Sequence, residues 1–488
     1  VRIRVGEAPG TEIRMTFSQE LFKDKNIFPS STLGGQKLRP PQQDVYICRG
    51  DEVEQWEPRF IYHGFRYVEV TGCKGDPVEV KGIVVHNDIP GNGHFSCSDP
   101  LMNRINEVAV WTGLCNMHGM PTDCPHREKG GWSGDGHLVA EAASFNLQMK
   151  RFYEKWMDDM LLCQGRNGLP PDIFPGIRGE GKPINPDWAY VIPSLPWYLY
   201  LYYGDRKPLE KSYPLIRHWI EVMNQDYPDG IVTRGYGDWA PPANTGETKC
   251  PVPVTSTAYY YDALGIAERI AGILGYTEDA TQFRETAGKV RAAFNREFLD
   301  RGKVSYGHQT ANCLALEFHL CPPGLRKEVA RALAGDIQER DIHFTCGVLG
   351  LKHLFNVLVD NGYETLAHRL ITQTTHPAFG YLLINGETTL WESFNLIDTT
   401  STPDSHPEVV VSHSHPFQGS CVSWFYDRVA GIEPDPEHPG FRRVIMKPSL
   451  TRMLWHARAS YHSPYGEIFS EWENRGNVFS WHLKIPAG

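Results

Sequence analysis

The stretch DCPHREKGGWSGD, residues 123–135, holds an unusual density of side chains that could do chemistry. Three acids lie among an arginine, a lysine, a tryptophan and three glycines. Most charged loops are solvated salt-bridge networks on the protein surface, and that interpretation is the alternative here. Because cysteine, tryptophan and glycine are interleaved with the charges, we favour a lined pocket.

The segment NGETTLWESFN, residues 385–395, contains a further acid, Glu392, directly after a tryptophan. Taken alone, such a glutamate is more often a surface carboxylate. Beside the acids of the first segment, a functional carboxyl group becomes the favoured interpretation.

Both segments resemble signature motifs of the bacterial α-L-rhamnosidases of glycoside hydrolase family seventy-eight. The first matches Asp-Cys-Pro, one residue, Arg-Glu, then Gly-Trp, one residue, Gly-Asp; the second matches Gly-x-Thr-Thr-x-Trp-Glu. The resemblance implies an exo-acting, inverting α-L-rhamnosidase. Sugar hydrolysis needs two carboxyl groups, because the leaving oxygen must be protonated while a nucleophile approaches the anomeric carbon from the other face. Glu128 would then be the catalytic acid and Glu392 the catalytic base. We expect the remaining side chains of the first motif to bind the sugar, namely Asp123, Arg127, Trp132 and Asp135.

Three further segments supply candidate sugar contacts. The segment GYGDWAPPANTG, residues 235–246, resembles a family loop of the sugar pocket, with Trp239 as wall and Asp238 as polar contact. Its alternative is an interhelical loop with a capping aspartate. His415 matches a family histidine that contacts the sugar, and Trp188 is a family tryptophan retained in this chain.

Two departures from the family pattern bear on the substrate. Ala189 and Tyr190 stand where family members usually carry Gly-Asp, and Phe379 stands where tryptophan is common. We expect these residues at the pocket rim, where they would affect which sugar is recognised more than which reaction occurs.

The first motif should be a loop that leads into a helix. Pro125 and the glycine pair at 130–131 disfavour helix. The following GHLVAEAASFNLQM is rich in helix formers, and Asp135 is placed to cap it. Asp99 followed by Pro100 predicts an earlier helix start.

Helical periodicity dominates residues 98–432, where we count about twelve candidate helices. The candidates include the segments 135–163, 307–336, 344–373 and 417–430, and we expect three of the candidates to contain two helices each. Helices without intervening strands exclude a parallel α/β sheet. The family resemblance implies that they form an (α/α)6 barrel.

Strand-like segments flank the helical part. The predicted organisation is therefore multidomain: a β-sandwich-like domain at 1–97, a catalytic (α/α)6 barrel at 98–432 and a C-terminal β-sandwich segment at 433–488. The chain opens on a strand without an initiating methionine and stops before a second sandwich closes. We expect both β parts to be truncated, or the N-terminal strands to complete the C-terminal sheet.

Composition favours a neutral carbohydrate partner, one with a terminal rhamnose if the resemblance holds. The net charge of -10 disfavours nucleic acid and anionic membranes, and no apolar run is long enough for a transmembrane helix. The 11 scattered cysteines predict free thiols. We expect no cofactor and no metal, even at His413 and His415. The oligomeric state stays open, and a periplasmic or secreted location is slightly favoured over a cytoplasmic one.

Two other functions stay open. A polysaccharide lyase on a helical toroid would use a base and a cation that neutralises a uronate, and the Arg127-Glu128-Lys129 run allows it. A glycan-binding protein on an inactive hydrolase scaffold is the non-enzymatic alternative. An unsaturated uronate chromophore would identify the lyase, and binding of an aryl α-L-rhamnoside without turnover would identify the binding protein.

Overall fold

The computed structural model describes residues 1–21, 42–176, 184–242, 249–395, 411–476 and 478–487. Strands come first, helices occupy the middle and strands return at the end. The first seven strands, β1 to β7, are Arg2–Val5, Glu12–Ser18, Gln43–Ile47, Glu54–Trp56, Tyr67–Thr71, Glu79–Lys81 and Gly93–Cys97. Strands β8 to β12 are Ile432–Pro434, Val444–Met446, His456–Ser463, Gly466–Arg475 and Val478–Lys484.

The described residues include twelve α-helices. Helices α1 to α6 are Pro100–Leu114, Ser133–Asn146, Lys150–Leu162, Val191–Tyr203, Lys207–Asp226 and Val252–Leu274. Helices α7 to α12 are Thr277–Phe298, Gln309–Glu317, Arg326–Glu339, Val348–Asp360, Glu364–Ile371 and Phe379–Ile384.

The N-terminal strands form two small antiparallel sheets with a core of their own. The strand orders are β4-β1-β6 and β3-β2-β5. Alternation along β1 and β2 turns one set of side chains inward. The shared core consists of Ile3, Val5, Ile13, Met15, Phe17 and Cys48. We call residues 1–21 and 42–86 the N-terminal β region.

The last strand before the helices belongs to a different sheet. Strand β7 pairs with β10 in a four-stranded sheet of order β12-β11-β10-β7, with Ala459 opposite Phe95. Side chains of this sheet, such as Trp472 and Tyr461, share one continuous core with the helices. An early strand therefore completes the C-terminal sheet, one of the two arrangements expected from the sequence.

The helix predictions largely match the structure. The predicted segments 135–163, 307–336 and 344–373 each divide into two helices, namely α2 with α3, α8 with α9, and α10 with α11. Asp99 caps α1 by accepting hydrogen bonds from the backbone N–H groups of Leu101 and Met102. The fold is thus helix-rich, with separate β-sheet regions.

Two local predictions are wrong. Helix α2 begins at Ser133 after Trp132, so Asp135 lies within its first turn rather than at its cap. The segment 417–430, predicted as one α-helix, forms a 3-10 helix at Pro416–Val422 and a π-helix at Phe425–Val429. In both places the tertiary contacts of buried residues override the local pattern.

The 11 cysteines are all free thiols, as predicted, and most of them are buried. Among the described residues, no helix is both long enough and apolar enough to cross a membrane.

Helix α2 is pressed against large aromatic side chains, and this contact yields a stability prediction. A Cβ atom on Gly136 would lie 2.0 Å from the ring of Trp156, which is fixed because its Nε1 donates to the Phe174 carbonyl at 3.0 Å. Gly136→Ala should therefore destabilise the protein by about 1–3 kcal/mol, measured by denaturant unfolding.

The matched control is Gly265→Ala in α6, where a Cβ would meet no atom within 4 Å. Alanine is a better helix former than glycine, so this variant should gain about 0.5–1 kcal/mol. Equal stability of the two variants would contradict the packing described for α2.

Candidate active site

The loop of residues 123–132, which we call the Glu128 loop, is wound around a thiol. The Cys124 Sγ donates to Asp123 Oδ2 at 2.8 Å and accepts from the Glu128 N–H at 3.4 Å. The Gly130 N–H donates to Asp123 Oδ1 at 2.8 Å, and the Asp123 N–H donates to the Gly130 carbonyl. Gly131 is required because a Cβ there would lie 2.1 Å from the Phe174 carbonyl oxygen.

The loop of residues 386–395, which we call the Glu392 loop, is paired with the backbone of residues 411–415. The Glu392 N–H donates to the Ser412 carbonyl at 2.7 Å, and the His415 N–H donates to the Leu390 carbonyl at 2.9 Å. The Ser412 backbone N–H donates a hydrogen bond to Glu392 Oε2 at 3.2 Å. The carboxylate is therefore fixed by its own backbone pairing.

The two loops meet through an ion pair. Arg127 Nη2 donates to Glu392 Oε2 at 2.8 Å, although the residues are 265 positions apart. Within the Glu128 loop, Trp132 Nε1 donates to Glu128 Oε2 at 3.0 Å. Both candidate carboxyl groups therefore carry a directed hydrogen bond from the Glu128 loop.

Aromatic rings form a wall beside the carboxyl groups. Trp132 and Trp239 both contact Tyr236 edge-on, with ring centroids 5.7 and 6.3 Å apart. Trp239 is 41% exposed, and its Nε1 lies 3.4 Å from Glu392 Oε1. Trp188 is buried behind Tyr236, with centroids 4.9 Å apart. Sequence reasoning missed Tyr236, although an aromatic residue between two glycines beside Asp238 and Trp239 was a usable signal.

Glu392 is stabilised in its charged form. Burial opposes ionisation, but the charges of His415 and Arg127 and the Ser412 N–H favour it, and together they hold the pKa of Glu392 below its usual 4.5. His415 itself is buried, and burial lowers its pKa to about 4. Near neutral pH, Arg127 is therefore the cation that stabilises this carboxylate.

Two other acids of the cluster have raised pKa values. Burial, followed by the charge of Glu128, raises the pKa of Asp123 to about 7. Burial and the neighbouring carboxylates raise the pKa of Asp135 well above its usual value. Asp135 Oδ1 lies 3.5 Å from His415 Nε2 and has no hydrogen-bond partner among the described residues. The cluster thus carries less negative charge than its composition suggests.

Asp238 has an architectural set of contacts in place of the expected sugar contact. The residue is buried. Its Oδ2 accepts from the Thr310 hydroxyl and from the Gly347 N–H at 2.7 Å, and its Oδ1 accepts from the N–H groups of Leu349 and Gly350. With every acceptor position used, Asp238 holds the start of α10, as its structural alternative proposed.

The expected rim residues are not at the rim. Ala189 and Phe379 are 0% exposed and Tyr190 is 4% exposed. The Tyr190 hydroxyl donates to Asp262 Oδ2 at 2.6 Å, which satisfies it inside the core. Phe379 packs on Phe394 of the Glu392 loop, with ring centroids 5.0 Å apart, so it supports that loop.

The two histidines serve different neighbours. His413 stacks on Trp391 with centroids 3.7 Å apart, and its Nε2 lies 2.5 Å from Glu20 Oε1; His415 faces Asp135. Within the ranges that the structure describes, no group of three or more His, Cys, Asp or Glu side chains is arranged to hold a metal ion.

Three family models match consecutive parts of the chain. Residues 1–86 match the bacterial alpha-L-rhamnosidase concanavalin-like domain, and residues 90–429 match the bacterial alpha-L-rhamnosidase 6 hairpin glycosidase domain. Residues 431–488 match the bacterial alpha-L-rhamnosidase C-terminal domain.

Individual relatives extend this similarity over the whole chain. An alpha-L-rhamnosidase of Formosa agariphila is 33% identical, and the match covers 100% of this chain and 53% of the relative. An alpha-L-rhamnosidase of Streptomyces avermitilis is 32% identical, and the match covers 100% of this chain and 46% of the relative. The chain therefore spans about half the length of these curated relatives.

Solved structures agree with the sequence relatives. The alpha-L-rhamnosidase from Dictyoglumus thermophilum superposes with a TM-score of 0.90 at 34% identity, over 99% of this chain and 54% of that one. The Streptomyces avermitilis alpha-L-rhamnosidase complexed with L-rhamnose superposes with a TM-score of 0.89 at 32% identity, over 99% of this chain and 46% of that one. This chain belongs to the bacterial α-L-rhamnosidase family.

Proposed function

We propose that this chain is a glycoside hydrolase, an exo-acting, inverting α-L-rhamnosidase that removes terminal α-L-rhamnosyl residues from glycans or glycosides. The observation that carries the proposal is the junction of the two loops, where Arg127 of one bonds Glu392 of the other at 2.8 Å. Glu128 adjoins that arginine in the same loop. Two carboxyl groups from independent elements beside an aromatic wall suit the cleavage of a glycosidic bond.

In this mechanism Glu392 is the general base. The contacts that keep it ionised leave it able to accept a proton from a water molecule that attacks the anomeric carbon. Glu128 donates a proton to the leaving oxygen, with its orientation set by the Trp132 N–H. An inverting arrangement requires about 6.5–9.5 Å between the two carboxyl groups, which leaves room for the water.

The proposed sugar-binding roles divide between partly exposed aromatic rings and largely buried polar side chains. We propose that the half-exposed Trp132, Tyr236 and Trp239 pack on the apolar side of the sugar, including its C6 methyl group. Asp123, Arg127, Asp135 and His415 are proposed as contacts to the ring hydroxyls. A carboxyl group that stays neutral can both donate and accept a hydrogen bond, as a hydroxyl partner requires. Trp188 is proposed to support Tyr236 from behind.

The proposed architecture follows the same family pattern. Residues 1–97 and 433–488 are proposed as β-sandwich parts, and residues 98–432 as an (α/α)6 barrel whose loops carry the site. The six-hairpin description of the family model for residues 90–429 supports the barrel. Because β7 pairs with β10, one sheet is shared between the first and the last of these three parts.

The direct test of function is hydrolysis of an aryl α-L-rhamnoside with identification of the released sugar. Release of L-rhamnose is the expected result. Because Arg127 already pairs with Glu392, it is poorly placed to neutralise a uronate. An unsaturated uronate product from an acidic polysaccharide would nevertheless establish a lyase, and rhamnoside binding without turnover would establish a binding protein.

The proposed roles of Glu392 as base and Glu128 as acid predict the effect of replacing each residue. Glu392→Gln should lower kcat at least about a hundredfold, because an amide cannot accept the proton of the attacking water. Glu128→Gln should affect substrates with poor leaving groups far more than activated aryl rhamnosides, because only the former need protonation. Initial rates on both substrate types, with circular dichroism as a folding control, measure this. A Glu392→Gln rate within about tenfold of wild type would exclude the base role.

The contact of Arg127 with Glu392 predicts a change in the pH profile of kcat/KM. Arg127 favours the charged form of Glu392, so Arg127→Gln should raise the pKa of Glu392. The base must be deprotonated to act, and the acidic limb of kcat/KM reports its pKa in the free enzyme. That limb should therefore move to higher pH. The control is Arg217→Gln, since Arg217 forms an exposed ion pair with Glu221 at 3.2 Å. An unmoved limb in the Arg127 variant would contradict this role of Arg127.

A further inference from the structure

A cavity lies between the N-terminal β region and the two loops that carry Glu128 and Glu392. The cavity has a volume of about 380 Å³, and its lining includes Pro125 of the Glu128 loop and Thr389 of the Glu392 loop. Tyr62 and Arg66 line it from the β region. Close packing normally fixes the position of a loop. Where a cavity interrupts that packing, polar contacts that cross between the two parts help to fix the position of the loops.

Arg66 of the β region makes a charged contact with the Glu392 loop. Arg66 Nη1 donates to both carboxylate oxygens of Glu387, at 2.8 and 2.9 Å, and its Nη2 lies 3.4 Å from the Gly386 carbonyl oxygen. The Glu387 side chain is only 8% exposed. A charged hydrogen bond at such a site is strong and directional.

Glu387 passes this restraint to the neighbour of Glu392. Its Oε2 also accepts from Trp391 Nε1 at 3.1 Å. Trp391 stacks on His413, and the His413 N–H donates to Gln19 Oε1 of the β region at 3.0 Å. Trp391, the residue before Glu392, thus contacts Glu387, which Arg66 binds, and His413, which Gln19 binds.

We infer that Arg66 is a positioning residue for Glu392, acting through Glu387 and Trp391. The inference rests on the proposed function, in which Glu392 is the base. The N-terminal β region then completes the active site of the helical part, although neither of the two motifs includes Arg66. A displaced base loses its alignment with the attacking water, so the effect should appear in kcat more than in KM.

The test compares Arg66→Ala with Arg2→Ala in the full chain. Arg2 forms an ion pair with Glu57 at 2.8 Å in the same β region, and both side chains are exposed. Arg66→Ala should lower kcat about 10- to 100-fold, the range expected for misplacement of a reacting group. KM should change by less than about threefold, and Arg2→Ala should retain wild-type kcat and KM. In a double-mutant cycle, Arg66→Ala and Glu387→Ala should be strongly non-additive.

The pH profile separates positioning from a general loss of stability. If the Glu392 loop moves away from Arg127, the pKa of Glu392 rises and the acidic limb of kcat/KM shifts to higher pH. A mere loss of folded protein scales the rate at every pH without moving the limb. A limb that stays in place would overturn the inference.

Amide hydrogen exchange gives a readout that does not depend on activity. Peptides covering residues 386–395 should exchange at least about tenfold faster in Arg66→Ala than in Arg2→Ala, because the Glu392 N–H bond to Ser412 opens more often. Equal exchange would overturn the inference, as would a kcat within about twofold of wild type. If the wild-type chain hydrolyses no rhamnoside, the proposed function fails, while exchange alone still decides whether Arg66 holds the loop.

Discussion

The ion pair between Arg127 and Glu392 is the interaction on which the site depends. It joins two loops from distant parts of the chain and keeps a largely buried carboxylate ionised. A buried charge is costly unless it is paired and hydrogen-bonded. Here the cost is offset by the guanidinium on one side and by the Ser412 N–H on the other. The same contact therefore sets both the geometry and the protonation state of the proposed base.

The rest of the cluster is arranged so that this charge is tolerated. Burial raises the pKa of Asp123 to about 7 and that of Asp135 well above its usual value, so near neutral pH they add less than two full negative charges beside Glu392. Burial keeps His415 neutral near neutral pH. Because the guanidinium of Arg127 is already paired with Glu392, the pocket suits an uncharged sugar better than a uronate or a phosphate.

The sequence predicted the local structure well and the tertiary contacts poorly. Helices α2 and α3 follow from periodicity, and the Glu128 loop follows from its proline and glycines, because these signals are local. The contacts of Asp238 with residues 72 and 109 positions away have no local signal. The same holds for Arg66, whose partner Glu387 is 321 positions away. Sequence separation, more than residue type, decided what could be foreseen.

The anomeric form of the first product tests the central claim most directly. If Glu392 acts as a base on a water molecule, early ¹H NMR spectra of a hydrolysing aryl α-L-rhamnoside should show β-L-rhamnose, which then mutarotates. The Arg127 contact would in that case orient a base rather than a nucleophile. Initial release of α-L-rhamnose would contradict this account, because retention requires a carboxylate such as Glu392 or Asp135 to attack the sugar itself.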